Sequence, residues 1–126
     1  MEERQCHIWL GLFGSGAPKN YFVQEFPRND DTPPSRFGAE QEHPYSFDDD
    51  FVEISFVYAP RPVRELVDGH SYSGSYLDVV TQKATEAGIT EANVFILANK
   101  DQFESPRSVA GPDYNLWYLG EFSCRE

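Results

Sequence analysis

The alternation of apolar and polar residues along this chain predicts four β-strands separated by turn-forming segments. The predicted strands are residues 6–13, 51–58, 93–98 and 115–123. The first is apolar on both faces, so we expect it to lie in the middle of a sheet. The second places apolar residues on one face and Glu53 and Ser55 on the other; the apolar residues are Val52, Ile54, Phe56 and Tyr58. We expect Pro60 and Pro62 to end it.

Apolar residues at three- and four-residue spacing predict a helix over residues 76–87. Ser75 and Asp78 have capping-box spacing, in which each side chain satisfies a backbone N–H of the first turn. Gly88 is placed for a left-handed C-terminal cap. The residues predicted on its buried face are Tyr76, Val79, Val80, Ala84 and Ala87. Shorter helical segments are predicted after Pro18 and over residues 63–68.

This order of elements predicts an α+β fold in a single domain over residues 1–126. We expect a sheet of about four strands, mainly antiparallel, with two to three helices packed on one face. The third and fourth strands are consecutive and are predicted to pair with each other. Residues 99–113 between them form a longer connection than a tight hairpin needs.

Composition supports a folded core but restricts the partners. Of the 126 residues, 40% are hydrophobic and 15% aromatic, which is enough burial to argue against disorder. The formal charge of −11 makes nucleic acid and anionic membranes unfavourable ligands, because both require basic residues. The charge suits a basic protein partner, and it is equally consistent with solubility alone.

Compartment and redox state follow from what the sequence lacks. No apolar run reaches the ~20 residues that span a bilayer, and the N-terminus does not have the pattern of a signal peptide. We therefore expect a cytoplasmic protein in which Cys6 and Cys124 are thiols. Neither cysteine lies in a zinc-binding pattern.

The main candidate for chemistry is an acidic run that leads into the second strand. Residues 40–53 include six acidic residues and no Lys or Arg, with Asp48, Asp49 and Asp50 adjacent. Such a run can bind a metal, perform acid/base catalysis, solvate a loop or contact a basic partner. It has no calcium-loop spacing, and no nucleophile elbow or phosphate-binding loop occurs in the chain.

Two interpretations compete with partner binding. One is a small metal-dependent hydrolase that uses the aspartates with His43 or His70. The other is a generic acidic protein-interaction domain. His70 and Tyr72 are better explained as residues that hold the turn before the helix by hydrogen bonds.

Five segments together resemble a known family, the immunity protein 22 family of bacterial polymorphic toxin systems. The segments are Trp9–Phe13, Phe47–Phe56, Leu66–Ser73, Ala92–Leu97 and Tyr118–Phe122. They occur in the family's order and span about residues 7 to 123. The resemblance implies a non-enzymatic, cytoplasmic antitoxin-like protein that binds a cognate toxin domain, and no catalytic residue, metal or cofactor is carried over.

With that resemblance, the acidic run is interpreted as the contact surface for a basic toxin, for example a nuclease. The predicted contacts are Asp48, Asp49, Asp50, Glu53, Tyr45 and Phe47. The residues predicted to belong to the structural motif are Trp9, Gly11, His70, Tyr72 and Ser75. Asp50 and Glu53 are also expected to bond to the turn that contains His70, which leaves Asp48 and Asp49 as the stronger contact candidates. A monomer or a weak homodimer is expected.

Overall fold

A computed structural model describes residues 4–17, 21, 36–41, 52–68, 70, 73–100, 103, 106–111 and 113–124. The strands are β1 (Arg4–Phe13), β2 (Val52–Pro62), β3 (Glu91–Asn99), β4 (Val109–Gly111) and β5 (Tyr114–Cys124). The helices are α1 (Arg36–Glu40), α2 (Val63–Val67) and α3 (Ser73–Glu86). The α+β class is therefore confirmed. None of the helices in these ranges is long and apolar enough to cross a bilayer.

The described strands form one antiparallel sheet of five strands in the order β2-β3-β1-β5-β4. The predicted count of four is not confirmed, because β4 lies within the connection predicted at residues 99–113. This strand has only three residues, Val109–Gly111, and pairs with the beginning of β5. Three residues are too few for alternation to indicate a strand.

The predicted pairing between the third and fourth strands is wrong. β3 lies between β2 and β1, while β5 lies between β1 and β4. β1 is central, as its two apolar faces predicted, and it separates the two strands that were expected to pair. Both hydrogen-bonding edges of β1 are therefore used, one by β3 and the other by β5.

Both faces of the sheet are covered. The helix face, which carries Ile8, Leu10 and Phe95, packs against the buried residues of α2 and α3. The opposite face, which we call the Trp9 face, carries Trp9, Val94, Ile96 and Leu116. Its cover includes Tyr21, Phe37 of α1 and Phe103. The expectation that helices cover one face only is therefore wrong, because α1 contributes Phe37 to the Trp9 face.

A β-bulge in β5 decides which side chains reach each face. Ile8 is opposite Gly120 and Trp9 is opposite Tyr118, so Leu119 is an extra residue in β5. With it, both Leu119 and Phe122 join the buried cluster of the helix face. A regular strand would place Glu121 in that core, because a shift of one residue exchanges the two faces.

Several predicted boundaries change. β2 continues through Pro60 to Pro62 with an irregularity after Phe56; it is an edge strand, where a missing N–H costs least. The helix begins at Ser73, so Ser75 lies within it, and the predicted capping box is wrong. Ser75 Oγ instead donates to the carbonyl oxygen of Ser123, 3.0 Å away.

The end of α3 agrees better with the sequence. Gly88 has φ +80°, which confirms the left-handed cap. Val79 and Ala87 were predicted on the buried face but are exposed, Val79 to 51%. The helix that was predicted after Pro18 lies outside the described residues except for Tyr21, which is in a turn.

Candidate functional site

Glu53, the last carboxylate of the acidic run, is tied to the turn before α3. Its Oε2 lies 3.0 Å from Nδ1 of His70, and the two side chains are 36% and 20% exposed. The His70 ring stacks on Phe95 with 4.6 Å between centroids. The expected bond between Glu53 and this turn is therefore present. Glu53 is on the helix side of β2, and its carboxylate holds β2 against the turn.

The other predicted contacts lie outside the described residues. They are Tyr45, Phe47, Asp48, Asp49 and Asp50, and Tyr72 of the turn also lies outside. Their role in binding stays a prediction. Val52, the first described residue of β2, is buried on the Trp9 face. Val52 and Glu53 therefore fix the C-terminal end of the run on the two sides of β2.

The residues predicted for the N-terminal motif have clear packing roles. Trp9 is fully buried, and its ring meets those of Phe37, Phe103 and Tyr118 at centroid distances of 5.3–5.5 Å. Gly11 has no room for a side chain, since a Cβ there would lie 3.0 Å from Val94 Cβ. Aromatic contacts at these distances stabilise the cluster beyond simple area burial.

His7, which was not singled out as a site residue, holds the connection that follows β3. Its Nε2 lies 3.2 Å from the carbonyl oxygen of Lys100 and 3.1 Å from that of Phe103. Carbonyls only accept hydrogen bonds, so we assign the proton to Nε2, and Nδ1 then accepts from the Tyr118 hydroxyl at 2.8 Å. Both ring nitrogens are engaged in a buried site, which makes His7 a structural residue.

Three further hydrogen bonds hold the same connection. Gln41 Nε2 donates to the carbonyl oxygen of Arg107 at 3.0 Å, and the Arg107 N–H donates to Gln41 Oε1 at 2.6 Å. Trp9 Nε1 also donates to the Arg107 carbonyl oxygen at 3.3 Å. The ends of α1 and of the β3–β4 connection are thereby fixed to each other and to the Trp9 face.

A carboxylate with two tyrosines links α1 to β5. The Tyr114 hydroxyl donates to Glu40, 2.7 and 2.8 Å from its two oxygens, and Arg36 Nε lies 3.7 Å from Oε1. Burial, followed by the Glu40 carboxylate, raises the pKa of Tyr21 far above its usual value. Burial and Glu40 also raise the pKa of Tyr114. Both tyrosines are therefore held neutral, and Tyr114 donates to the carboxylate.

The negative charge is concentrated in a few segments. The described residues include nine of the 21 acidic residues and seven of the ten basic ones. Segments 22–35, 42–51 and 101–105 together contain nine acidic residues and one basic residue, Arg28. The described residues are therefore close to charge balance.

Several described residues at the edges of these segments pack on the Trp9 face. Tyr21 precedes the first segment, and the N–H of Phe37, which follows Arg36, donates to the Tyr21 carbonyl oxygen at 3.0 Å. Gln41 and Val52 bracket the second. Phe103 lies within the third and is buried against Trp9. Tyr21, Val52 and Phe103 therefore tie described positions beside or within these segments to one face of the sheet, while Arg36 and Lys100 at other edges are exposed.

Within the described part of the chain, no three His, Cys, Asp or Glu side chains are grouped so that they could hold a metal ion. His43 and the three aspartates of the hydrolase hypothesis lie outside it. His70 contacts Glu53 and Phe95. The Cys6 thiol is buried and lies 3.9 Å from Asn99 Oδ1.

A comparison with protein families confirms the resemblance seen in the motifs. The family model described as Immunity protein 22 matches residues 6–124. No curated protein and no solved structure is significantly similar to the chain. The match includes β2 to β5, all but the first two residues of β1, and the three described helices. The chain therefore belongs to the immunity protein 22 family.

Proposed function

We propose that this protein neutralises a cognate toxin by binding its effector domain directly, with no chemical step of its own. Membership of the immunity protein 22 family supports the toxin-neutralising role. The binding surface in this proposal is formed by the acid-rich segments 22–35, 42–51 and 101–105. We further propose that binding takes place in the cytoplasm and that the protein acts as a monomer or a weak homodimer.

The observation that carries the proposal is the concentration of acidic residues in three segments of the sequence. Segments 22–35, 42–51 and 101–105 contain nine acidic residues and one basic residue, and Tyr21, Val52 and Phe103, beside or within them, pack on the Trp9 face. Like charges brought together cost free energy unless a partner of opposite sign relieves the repulsion. Such an arrangement speeds association with a basic partner and weakens binding of partners that lack positive charge.

A nuclease domain is the partner class that this charge fits best. Its groove for nucleic acid is lined with Lys and Arg, which neutralise phosphates. Carboxylates placed in that groove take the position of the phosphates and exclude the substrate. Asp48 and Asp49 are the first contacts we propose, with Asp50 beside them and Tyr45 and Phe47 as aromatic anchors. Glu53 contributes mainly by fixing β2 to the turn at His70.

The proposal is tested with the toxin domain encoded by the neighbouring gene. Co-expression of this protein is expected to restore growth of cells that produce the toxin. The variant Asp48→Asn/Asp49→Asn/Asp50→Asn removes three negative charges from the acidic run. We expect it to raise the Kd for the toxin at least ~30-fold, since close charge pairs at interfaces contribute about 2 kcal/mol or more.

A matched control removes the same charge elsewhere. Glu65→Gln/Asp68→Asn/Glu86→Gln changes three exposed carboxylates on α2, its C-terminal boundary and α3. We expect a Kd within about threefold of wild type, because exposed charges far from a contact act only through a screened field. Equal effects of the two triple variants would contradict the assignment of the contact surface. Failure of the wild-type protein to bind or to restore growth would contradict the proposed function itself.

A further inference from the structure

A cleft of about 480 Å³ opens where β1 ends, beside the turn between β4 and β5. Its walls include Leu12, Gly14, Pro60, Asn93, Asp113 and Asn115. Leu12 and Pro60 supply apolar surface, while Asp113 and Asn115 supply exposed polar groups. A cleft of this size accommodates a long side chain from a partner.

Asp113 is held in one orientation in this cleft. Its backbone has φ +59°, a left-handed conformation. The N–H of Gly14 donates to its carbonyl oxygen at 2.8 Å, and the N–H of Gly16 donates to its Oδ2 at 2.5 Å. A Cβ at Gly14 would overlap the Asp113 carboxylate. Because both residues are glycine, the backbone of the turn after β1 can pack closely against the Asp113 carboxylate of the β4–β5 turn.

This carboxylate has no counter-ion within the described part of the chain. Among the described residues that line the cleft, Asp113 is the only one with a charged side chain. The ion pairs found between described residues involve Arg36, Arg64, His70 and Lys100, and none reaches Asp113. A fixed carboxylate in a concave site is a preorganised acceptor, and binding a cation there costs little ordering entropy.

We propose that this cleft receives the guanidinium of an arginine side chain from the toxin. This proposal rests on the proposed function and extends it to a specific contact. The Asp113 carboxylate pairs with the charge, and the amide oxygen of Asn115 offers a second acceptor. The methylene groups of arginine lie against Leu12 and Pro60. Arginine fits better than lysine because the guanidinium is planar and weakly hydrated, and it donates to two acceptors at once.

The substitution Asp113→Asn removes the negative charge of the side chain and keeps the conformation of the turn. Asn is among the residues best tolerated at positive φ, and its side-chain oxygen still accepts from the Gly16 N–H. The turn therefore keeps its geometry while the negative charge is lost. Unchanged chemical shifts of residues outside the cleft verify that the variant is folded.

The first experiment uses a small probe and does not require the toxin. N-acetyl-arginine amide is titrated into the protein and followed by the backbone amide resonances of Gly14, Gly16 and Asn115. We expect saturable shifts with a Kd on the order of 10 mM, as for a fragment that makes one ion pair. The uncharged citrulline analogue and the Asp113→Asn variant are each expected to bind at least fivefold more weakly.

Nonspecific attraction of a cation to an acidic protein is controlled by the variant Asp48→Asn/Asp49→Asn/Asp50→Asn. It is expected to leave the shifts at the cleft unchanged. Equal binding of the arginine and citrulline probes, or of wild type and Asp113→Asn, overturns the proposal of a guanidinium site. So do shifts that are spread over the acidic surface and absent at the cleft.

The second experiment measures the toxin domain itself. We expect Asp113→Asn to raise the toxin's Kd about tenfold. An unchanged Kd overturns the role of the cleft in toxin binding, even though the wild-type protein still neutralises the toxin. If the wild-type protein does not bind the toxin, the proposed function fails, and the probe titration still decides whether the cleft binds guanidinium.

Discussion

Single polar side chains satisfy backbone groups that the strand ladders and helices leave without a partner. Asn93 is 2% exposed and pairs with both backbone groups of Phe13, at 2.8 Å in each direction. The ladder between β1 and β3 ends at Gly11 and Val94, so these groups would otherwise be buried without a ladder partner. His7 and Gln41 serve the β3–β4 connection in the same way. Such residues position the loops of the Trp9 face.

We predict that Asn93→Leu lowers the free energy of unfolding by about 2–4 kcal/mol. Leucine has a similar volume but leaves the N–H and carbonyl oxygen of Phe13 without their partner, and each unsatisfied group costs about 1–3 kcal/mol. Urea denaturation measures the change. Asn115→Ala is the control, because Asn115 is exposed, and a change within about 0.5 kcal/mol is expected there. A similarly small change for Asn93→Leu would contradict the role of its amide.

A second prediction concerns alkaline pH. Burial raises the pKa of Tyr21 in the folded protein, and Tyr114 and Tyr118 shift in the same direction. The unfolded chain loses these protons near pH 10 while the folded protein keeps them, so the folded state binds more protons above that pH. Stability is therefore retained below about pH 10 and falls as pH rises from there toward the folded-state pKa values.

The contribution of Tyr21 is isolated by Tyr21→Phe. We expect the free energy of unfolding of wild type to fall more steeply between pH 10 and 11 than that of the variant. The difference is at most about 1.4 kcal/mol per pH unit, the limit for one proton. Urea denaturation at pH 8, 9, 10 and 11 measures both slopes. Parallel slopes would show that Tyr21 ionises equally readily in the folded and unfolded states.

At the scale of elements, the bulge in β5 shifts the pairing of β5 with β1 by one residue. Gly120 has φ +118°, and the extra residue Leu119 lets Phe122 reach the helix face opposite Cys6. A residue other than glycine is strained at this φ even where space is available. The bulge thus depends on one glycine that no local apolar pattern marks as special.

Two Gly→Ala substitutions test this dependence. A Cβ at Gly120 meets only Lys83 Nζ at 3.8 Å, so Gly120→Ala has no steric clash and isolates the backbone cost. We expect a loss of about 1–2 kcal/mol in the free energy of unfolding. Gly74→Ala, in the first turn of α3 with no atom within 4 Å, is expected to be neutral or to gain up to about 1 kcal/mol. Thermal and urea unfolding provide both values. The same sign for both substitutions would contradict the strained bulge.

At the scale of the whole molecule, the two faces of the sheet differ in what covers them. α2 and α3 cover the helix face, where Arg64 pairs with Asp78 at 2.8 Å on the exposed side. The Trp9 face is covered by α1, Tyr21 and Phe103, and these residues adjoin the acid-rich segments. We therefore propose that the helix face serves as scaffold and that the toxin-binding segments are those next in sequence to residues of the Trp9 face.

The whole-molecule prediction is a strong dependence of toxin association on salt. An acidic surface that steers a basic partner loses its effect as the Debye length falls from about 14 Å at 0.05 M to about 4 Å at 0.5 M. We expect the association rate constant to fall at least ~10-fold over this range. Stopped-flow fluorescence or surface plasmon resonance can measure it.

The two triple variants separate local from global charge in this measurement. Neutralising Asp48, Asp49 and Asp50 is expected to flatten the salt dependence, while neutralising Glu65, Asp68 and Glu86 leaves most of it. Indistinguishable slopes would mean that net charge alone governs the encounter.

The sequence by itself determined the elements whose evidence is local. The two apolar faces of β1 indicated a central strand, and Gly88 marked the end of α3. The motifs from Trp9 to Phe122 indicated the family that the match over residues 6–124 confirms. Periodicity succeeds here because it depends on which side of one element faces the core. It failed at Val79, where the exposed fraction depends on how far neighbouring elements extend over α3.

Only the tertiary structure decided which elements meet. β1 separates β3 from β5, and His7 reaches Tyr118 across 111 positions of sequence. The turn that carries Asp113 closes on Gly14 and Gly16 and forms the proposed guanidinium site. Contacts of this kind depend on the pairing of distant strands, and a local pattern carries no information about the partner. The acidic run was visible in the sequence, but only the structure shows that Val52 packs on the Trp9 face while Glu53 bonds to His70.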